Sequence, residues 1–158
     1  MKSRWALLAL IIGVSISLSC HSGKAFSKLD SQSSKSQALG SFMITSKVLG
    51  NSVFTPSVCD SGDRQYFLGS DFKDQSSAIV LRLLVDPLHG PAVRMFSSEK
   101  PFDQSVVFHR SDCKVFQFSL DSTGWQLNDV YDYRVALQLD CSRDDESISG
   151  SASSPHCH

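Results

Sequence analysis

Residues 131–141 read YDYRVALQLDC, and their alternation decides the fold. Tyr131, Tyr133, Val135, Leu137, Leu139 and Cys141 fall on one side of an extended chain. Asp132, Arg134, Gln138 and Asp140 fall on the other, with Ala136 among them. Successive side chains of a strand point to opposite faces, so this pattern predicts a half-buried antiparallel strand with one wet face. Residues 77–85 are more apolar: Ile79, Leu81, Leu83 and Val85 share a face, while Val80 and Leu84 flank Arg82 on the other. That is the pattern of a central strand covered on much of both faces.

Outward from these two stretches, strand patterns and turn signals alternate along the chain. Asp86-Pro87-Leu88-His89-Gly90-Pro91 is a turn signal before a short strand at 92–96. In 114–120, Val115, Gln117 and Ser119 lie opposite Phe116, Phe118 and Leu120. Asp121-Ser122-Thr123-Gly124 is read as a hairpin turn leading into 125–130, and Asp144-Asp145-Glu146 as a turn into a last strand at 147–153. Earlier strands are expected at 42–49, 53–58, 66–69 and 105–108. No stretch from Phe42 onward has a convincing helical period. The expectation is an all-β fold, an antiparallel β-sandwich of about eight or nine short strands, with a barrel as the less fitting alternative.

The first twenty residues, MKSRWALLALIIGVSISLSC, have a different character. Lys2 and Arg4 precede an uncharged, largely apolar run from Trp5 to Leu18, and small Ser17 and Ser19 stand before Cys20. This is the layout of a secretory signal, and its apolar run falls short of the roughly 20 residues needed to span a bilayer. Residues 21–41 hold seven serines and no strand or helix period, the composition of a flexible tether. Three segments are therefore expected: a signal peptide at 1–19, a tether beginning with Cys20 at 20–41, and a β-domain at 42–158.

Of fifteen Lys and Arg, two lie in the signal, so thirteen face sixteen Asp and Glu in the exported chain. No basic stripe is present, which excludes nucleic acid as the expected partner. The five cysteines are Cys20, Cys59, Cys113, Cys141 and Cys157, an odd number for an exported protein. Setting Cys20 apart leaves four, enough for two structural disulfides in an oxidising compartment. Four cysteines allow three connectivities; the favoured pairing is Cys59–Cys113 with Cys141–Cys157, the second tying the tail to a core strand after a bend at Pro155.

The ending Ser17-Leu18-Ser19-Cys20 resembles the lipobox of bacterial lipoproteins. The resemblance implies that Cys20 is acylated and becomes the mature N-terminus, anchoring the chain to a membrane; an ordinary signal peptidase would cut the same bond. In those lipoproteins an Asp after the cysteine favours the inner membrane, and His21 in that place implies the outer one, facing the periplasm or the surface. The β-domain also looks like predicted lipoproteins of unknown function from Gram-negative bacteria.

Candidate chemistry is sparse. His156-Cys157-His158 invites a metal reading, but adjacent residues of an extended chain diverge, so a disulfide flanked by two histidines is expected instead. The acidic groups Asp60-Ser61-Gly62-Asp63, Asp71, Asp74 and Asp144-Asp145-Glu146 have the oxygens calcium uses, yet match no EF-hand spacing and read as turns. His89 with Asp86 and His109 with Asp112 are the histidine–carboxylate neighbours, with no G-x-S-x-G or H-E-x-x-H context. No catalytic residue, metal or cofactor is assigned. Phe116, Phe118, Tyr131 and Tyr133 keep the core register, which leaves Trp125 as the aromatic to expect on a ligand face. The expected function is that of a lipid-anchored envelope protein with a binding or structural β-sandwich, its partner an envelope protein or glycan. The alternatives are a secreted hydrolase or metal-dependent enzyme with a site assembled in three dimensions, and a secreted inhibitor or adhesion module.

Overall fold

A computed structural model describes residues 37–158; the expected signal peptide, Cys20 and most of the expected tether lie outside the described residues. Ten antiparallel strands form two five-stranded sheets. They are β1 (Gly40–Thr45), β2 (Ser52–Phe54), β3 (Val58–Ser61), β4 (Gly69–Lys73), β5 (Ile79–Asp86), β6 (Gly90–Ser97), β7 (Val106–His109), β8 (Cys113–Leu127), β9 (Val130–Arg143) and β10 (Glu146–Cys157). The first sheet has the order β2-β1-β10-β9-β8 and the second β3-β4-β5-β6-β7. The sandwich is as the alternation predicts, and β5, the most apolar strand, sits at the centre of the second sheet.

The core lies between the sheets. Phe42, Phe54, Phe72, Phe108, Leu81, Leu83, Met95, Val135, Leu137 and Ile148 are fully or almost fully buried. Each such side chain contributes about 1.5–3 kcal/mol relative to exposure. On β9 the inward set is Val135, Leu137, Leu139 and Cys141, the set read from the sequence. Gly150 of β10 faces Phe42 of β1, and a Cβ there would lie 2.1 Å from the Ser41 carbonyl oxygen. Only glycine allows that approach.

Two local expectations fail. Residues 66–69 form no strand before Gly69: a 3₁₀ turn at Gly62–Gln65 ends at Tyr66, which is left-handed (φ 62°). Asp121-Ser122-Thr123-Gly124 is not a hairpin turn; β8 runs through it to Leu127. The reversal is made instead by Asn128 and Asp129, both with positive φ (52° and 64°), between paired Leu127 and Val130. Two consecutive positive-φ residues suit the right-handed twist of a two-residue hairpin, and Asn and Asp tolerate that conformation.

The disulfides are Cys59–Cys157 and Cys113–Cys141, not the favoured pairing. Cys113 and Cys141 are directly opposite each other on the adjacent strands β8 and β9. Cys157 lies at the end of β10 in the first sheet and Cys59 on β3 in the second, so their bridge ties the two layers together. The bend expected at Pro155 to bring the tail back to Cys141 is not made: β10 runs on along β9, pairing Ser154 with Val135 and Cys157 with Tyr133, with one residue extra on β10 as a bulge.

Candidate functional site

Both neighbours of β9 are irregular at the same place. On the β10 side the bulge holds Pro155 and His156. On the β8 side Ser122 pairs with Tyr133 and Gln126 with Tyr131, so Thr123, Gly124 and Trp125 bulge opposite Asp132. The turn-forming tetrapeptide is thus used as a bulge, with Gly124 supplying φ +80°. Bulges re-aim side chains. Here three side chains, those of Thr123, His156 and His158, gather at one carboxylate.

Asp132 is 2% exposed although the alternation puts it on the wet face. The bulge of β8 and the tail of β10 fold over it. Thr123 Oγ1 donates to its Oδ2 at 2.9 Å, and the Cys157 backbone N–H donates to Oδ1 at 3.0 Å. His156 Nδ1 is 2.8 Å from Oδ2, and His158 Nδ1 is 3.6 Å from Oδ1. Burial is the largest single influence on this carboxyl and opposes its ionisation. The hydrogen bonds from His156 and Thr123, the attraction of His156 and the Cys157 N–H together outweigh it and hold the group below the usual carboxylate value.

The two histidines share a face because they are two residues apart on an extended chain, while Cys157 between them points inward to its disulfide. The expected divergence of His156, Cys157 and His158 is therefore what the fold shows. The sequence reading overlooked its corollary, that residues 156 and 158 meet a common partner. Asp132 was equally hidden, since nothing local marks it as covered.

Around this carboxylate lies an open pocket of about 390 Å³ lined by Thr123, Trp125, Asp132, His156 and His158. Trp125 is 60% exposed, in keeping with its reading as the surface aromatic. The hydrogen bond at His156 Nδ1 leaves its Nε2 for a ligand, while His158 Nδ1, at 3.6 Å, lies near the carboxylate without a hydrogen bond to it. The constellation is a flat indole beside two imidazoles, one of them oriented by a buried, fully engaged carboxylate. Thr123 donates to the Asp132 carboxylate and not to an imidazole, so the arrangement is not a hydroxyl–imidazole pair.

The remaining residues singled out in the sequence are dispersed. Asp60 pairs with Lys73, Asp71 with Arg82, and Asp74 holds its own turn through Ser76. Asp63 accepts from the Tyr131 N–H and Tyr133 hydroxyl, while Asp145 pairs with Lys47. Among the described residues no group of three His, Cys, Asp or Glu is placed to hold a metal ion. His89 does meet Asp86, at 2.8 Å and on the surface. Asp112 instead accepts the backbone N–H of His109. Phe116 is core, Phe118 and Tyr133 pack partly against it, and Tyr131 departs from expectation by being 46% exposed beside the hairpin tip. No protein-family model, characterised protein or solved structure matches the chain.

Proposed function

We propose that this chain is an exported, lipid-anchored envelope protein whose β-sandwich binds a saccharide at the Trp125 face. The observation that carries the reading is the pairing of an exposed indole with the His156 imidazole, which buried Asp132 orients, and the neighbouring His158. A sugar ring presents an apolar C–H face and an equatorial rim of hydroxyls. Trp125 offers the first a stacking surface, and the outward nitrogens of His156 and His158 offer the second hydrogen-bond partners. Pre-set polar groups lose little on binding because their orientation is already paid for by folding. The two disulfides fit an oxidising compartment, and Cys20 after the signal fits an acyl anchor there.

Two measurements test the two halves. Trp125 is the only tryptophan after Trp5 of the signal, so intrinsic fluorescence of the exported protein reports on this face alone. Titration with soluble oligosaccharides released from the cell envelope is expected to shift or quench it. By calorimetry, Trp125→Ala is expected to bind at least about tenfold more weakly, equivalent to about 1.4 kcal/mol. Unchanged fluorescence across both peptidoglycan-derived and lipopolysaccharide-derived saccharides would refute saccharide binding. For the anchor, a clickable palmitate analogue is expected to label the chain and to miss Cys20→Ala; equal labelling of the two would refute acylation at Cys20.

A further inference from the structure

The outer face of the second sheet carries a second concavity with a different chemistry. Across its strands the pairing sets Asp71 of β4, Arg82 of β5, Arg94 of β6 and Val107 of β7 in one row. The next row, towards the β5–β6 turn, is Gly69, Leu84, Ala92 and His109. Arg82 and Arg94 are cross-strand neighbours, and like charges so placed repel each other.

Only one of them is neutralised. Arg82 forks onto Asp71, with Nε to Oδ1 and Nη2 to Oδ2 both at 2.7 Å, and Gln65 completes the carboxylate at 3.0 Å. Arg94 forms no ion pair with a carboxylate among the described residues. Its guanidinium lies 4.4 Å from the Phe102 ring centroid, and its Nε is buried and unpaired. A half-buried guanidinium with a stacked face and an unanswered charge is an uncommon arrangement, because buried donors to this group are nearly always satisfied.

Arg94 lines a trough of about 630 Å³, within the size range of small-molecule sites. Its walls are apolar, from Leu68, Leu84, Ala92, Val107 and the ring of Phe67, with His89 and His109 at the rim. The one carboxylate there, Asp86, is already engaged by His89 Nδ1 and by the backbone N–H groups of Leu88 and His89. Tyr66, fully exposed and left-handed, stands at the mouth. The trough therefore combines an apolar lining with an uncancelled cation.

We propose that this trough binds an amphiphile with a single oxyanion head, a carboxylate or a phosphate monoester. The head meets the Arg94 guanidinium, whose planar fork matches both groups, and the apolar body lies along Leu84 and Val107. The site shares no residue with the Trp125 face, so either proposal stands or falls alone.

Calorimetric titration of the full chain with octanoate and separately with octyl phosphate tests it, using octanol as the uncharged control. At least one anion is expected to bind, and at least tenfold more tightly than octanol. A preference for octanoate identifies a free carboxylic acid as the class, and a preference for octyl phosphate a lipid-type phosphate. Arg94→Met, which keeps the length and removes the charge, is expected to bring the anion down to the octanol level. Should that variant fold poorly, Leu68→Asp at the half-exposed rim is expected to weaken the anion by a similar factor without touching the core. Absence of binding by both anions, or anion affinity unchanged in Arg94→Met, would overturn the proposal.

Discussion

Replacing both Cys59 and Cys157 with alanine is expected to cost the domain about 4.7 kcal/mol, a large share of the roughly 5–15 kcal/mol that stabilises a typical domain. The bridge closes a separation of 98 residues, against 28 for Cys113–Cys141. On the chain-entropy account the shorter loop is worth about 3.6 kcal/mol, so the longer bridge is the stronger restraint by about 1 kcal/mol. Topology sharpens the contrast. Cys113 and Cys141 are on adjacent hydrogen-bonded strands that stay paired without their bridge, whereas Cys59–Cys157 joins one sheet to the other. Urea unfolding of the two double variants reads the difference, and the Cys59/Cys157 variant is also expected to show the larger rise in m-value, because its unfolded chain expands more. A smaller loss than that of the Cys113/Cys141 variant would contradict this ordering. Because Cys157 stands between His156 and His158, the same variant is expected to loosen the Trp125 face, so saccharide binding should weaken in parallel.

The class of fold was legible because it rests on a period-two signal that burial enforces strand by strand. A slip of one residue on β9 would turn Val135, Leu137 and Leu139 out to water. The site was not legible, for reasons that are themselves physical. Asp121-Ser122-Thr123-Gly124 has the composition of a turn, and a bulge demands the same things: a glycine with positive φ and small polar neighbours. Composition cannot tell the two apart; the decision was made by Asn128-Asp129, whose paired left-handed residues close the hairpin farther on. The disulfides were misassigned for a related reason. Proximity along the chain favoured Cys141 with Cys157, but β9 and β10 are antiparallel, which sets Cys141 opposite Ile148 and carries Cys157 to the other end of β9 beside Tyr133. There it faces the second sheet, where Cys59 waits. Counting the register forward from the β9–β10 turn carries Cys157 past Cys141, and the expected pair depended on a bend at Pro155 that the strand replaces with a one-residue bulge. Arg94 was hidden more deeply, since an unpaired arginine is recognised only after every carboxylate has been assigned.

Asp132→Ala is expected to destabilise the domain by about 3 kcal/mol, through the tail and not the core. The side chain receives three hydrogen bonds within 3.0 Å, from Thr123, His156 and the buried Cys157 N–H. Hydrogen bonds to a charged group contribute about 1.5–3 kcal/mol, and a buried N–H left without an acceptor costs about 1–3 kcal/mol. His156 is two-thirds exposed, so its share is reduced by water and the sum stays well below a simple addition. The dependence on pH separates charge from shape. In the folded protein the Asp132 carboxyl ionises below its ordinary value of 3.8, so the folded state binds this proton less readily than the unfolded chain does. Its contribution is therefore complete above the unfolded value and is lost as pH falls through the lower folded value. The stability gap between the parent and Asp132→Asn, which keeps the shape without the charge, is expected to be full above the ordinary value of 3.8 and to close as pH falls through the lower folded value. A gap that persists unchanged into acid would show that the carboxylate charge is not what holds His156 and the tail. Saccharide binding should fail over the same interval, because the His156 imidazole loses the anchor that orients it beside Trp125.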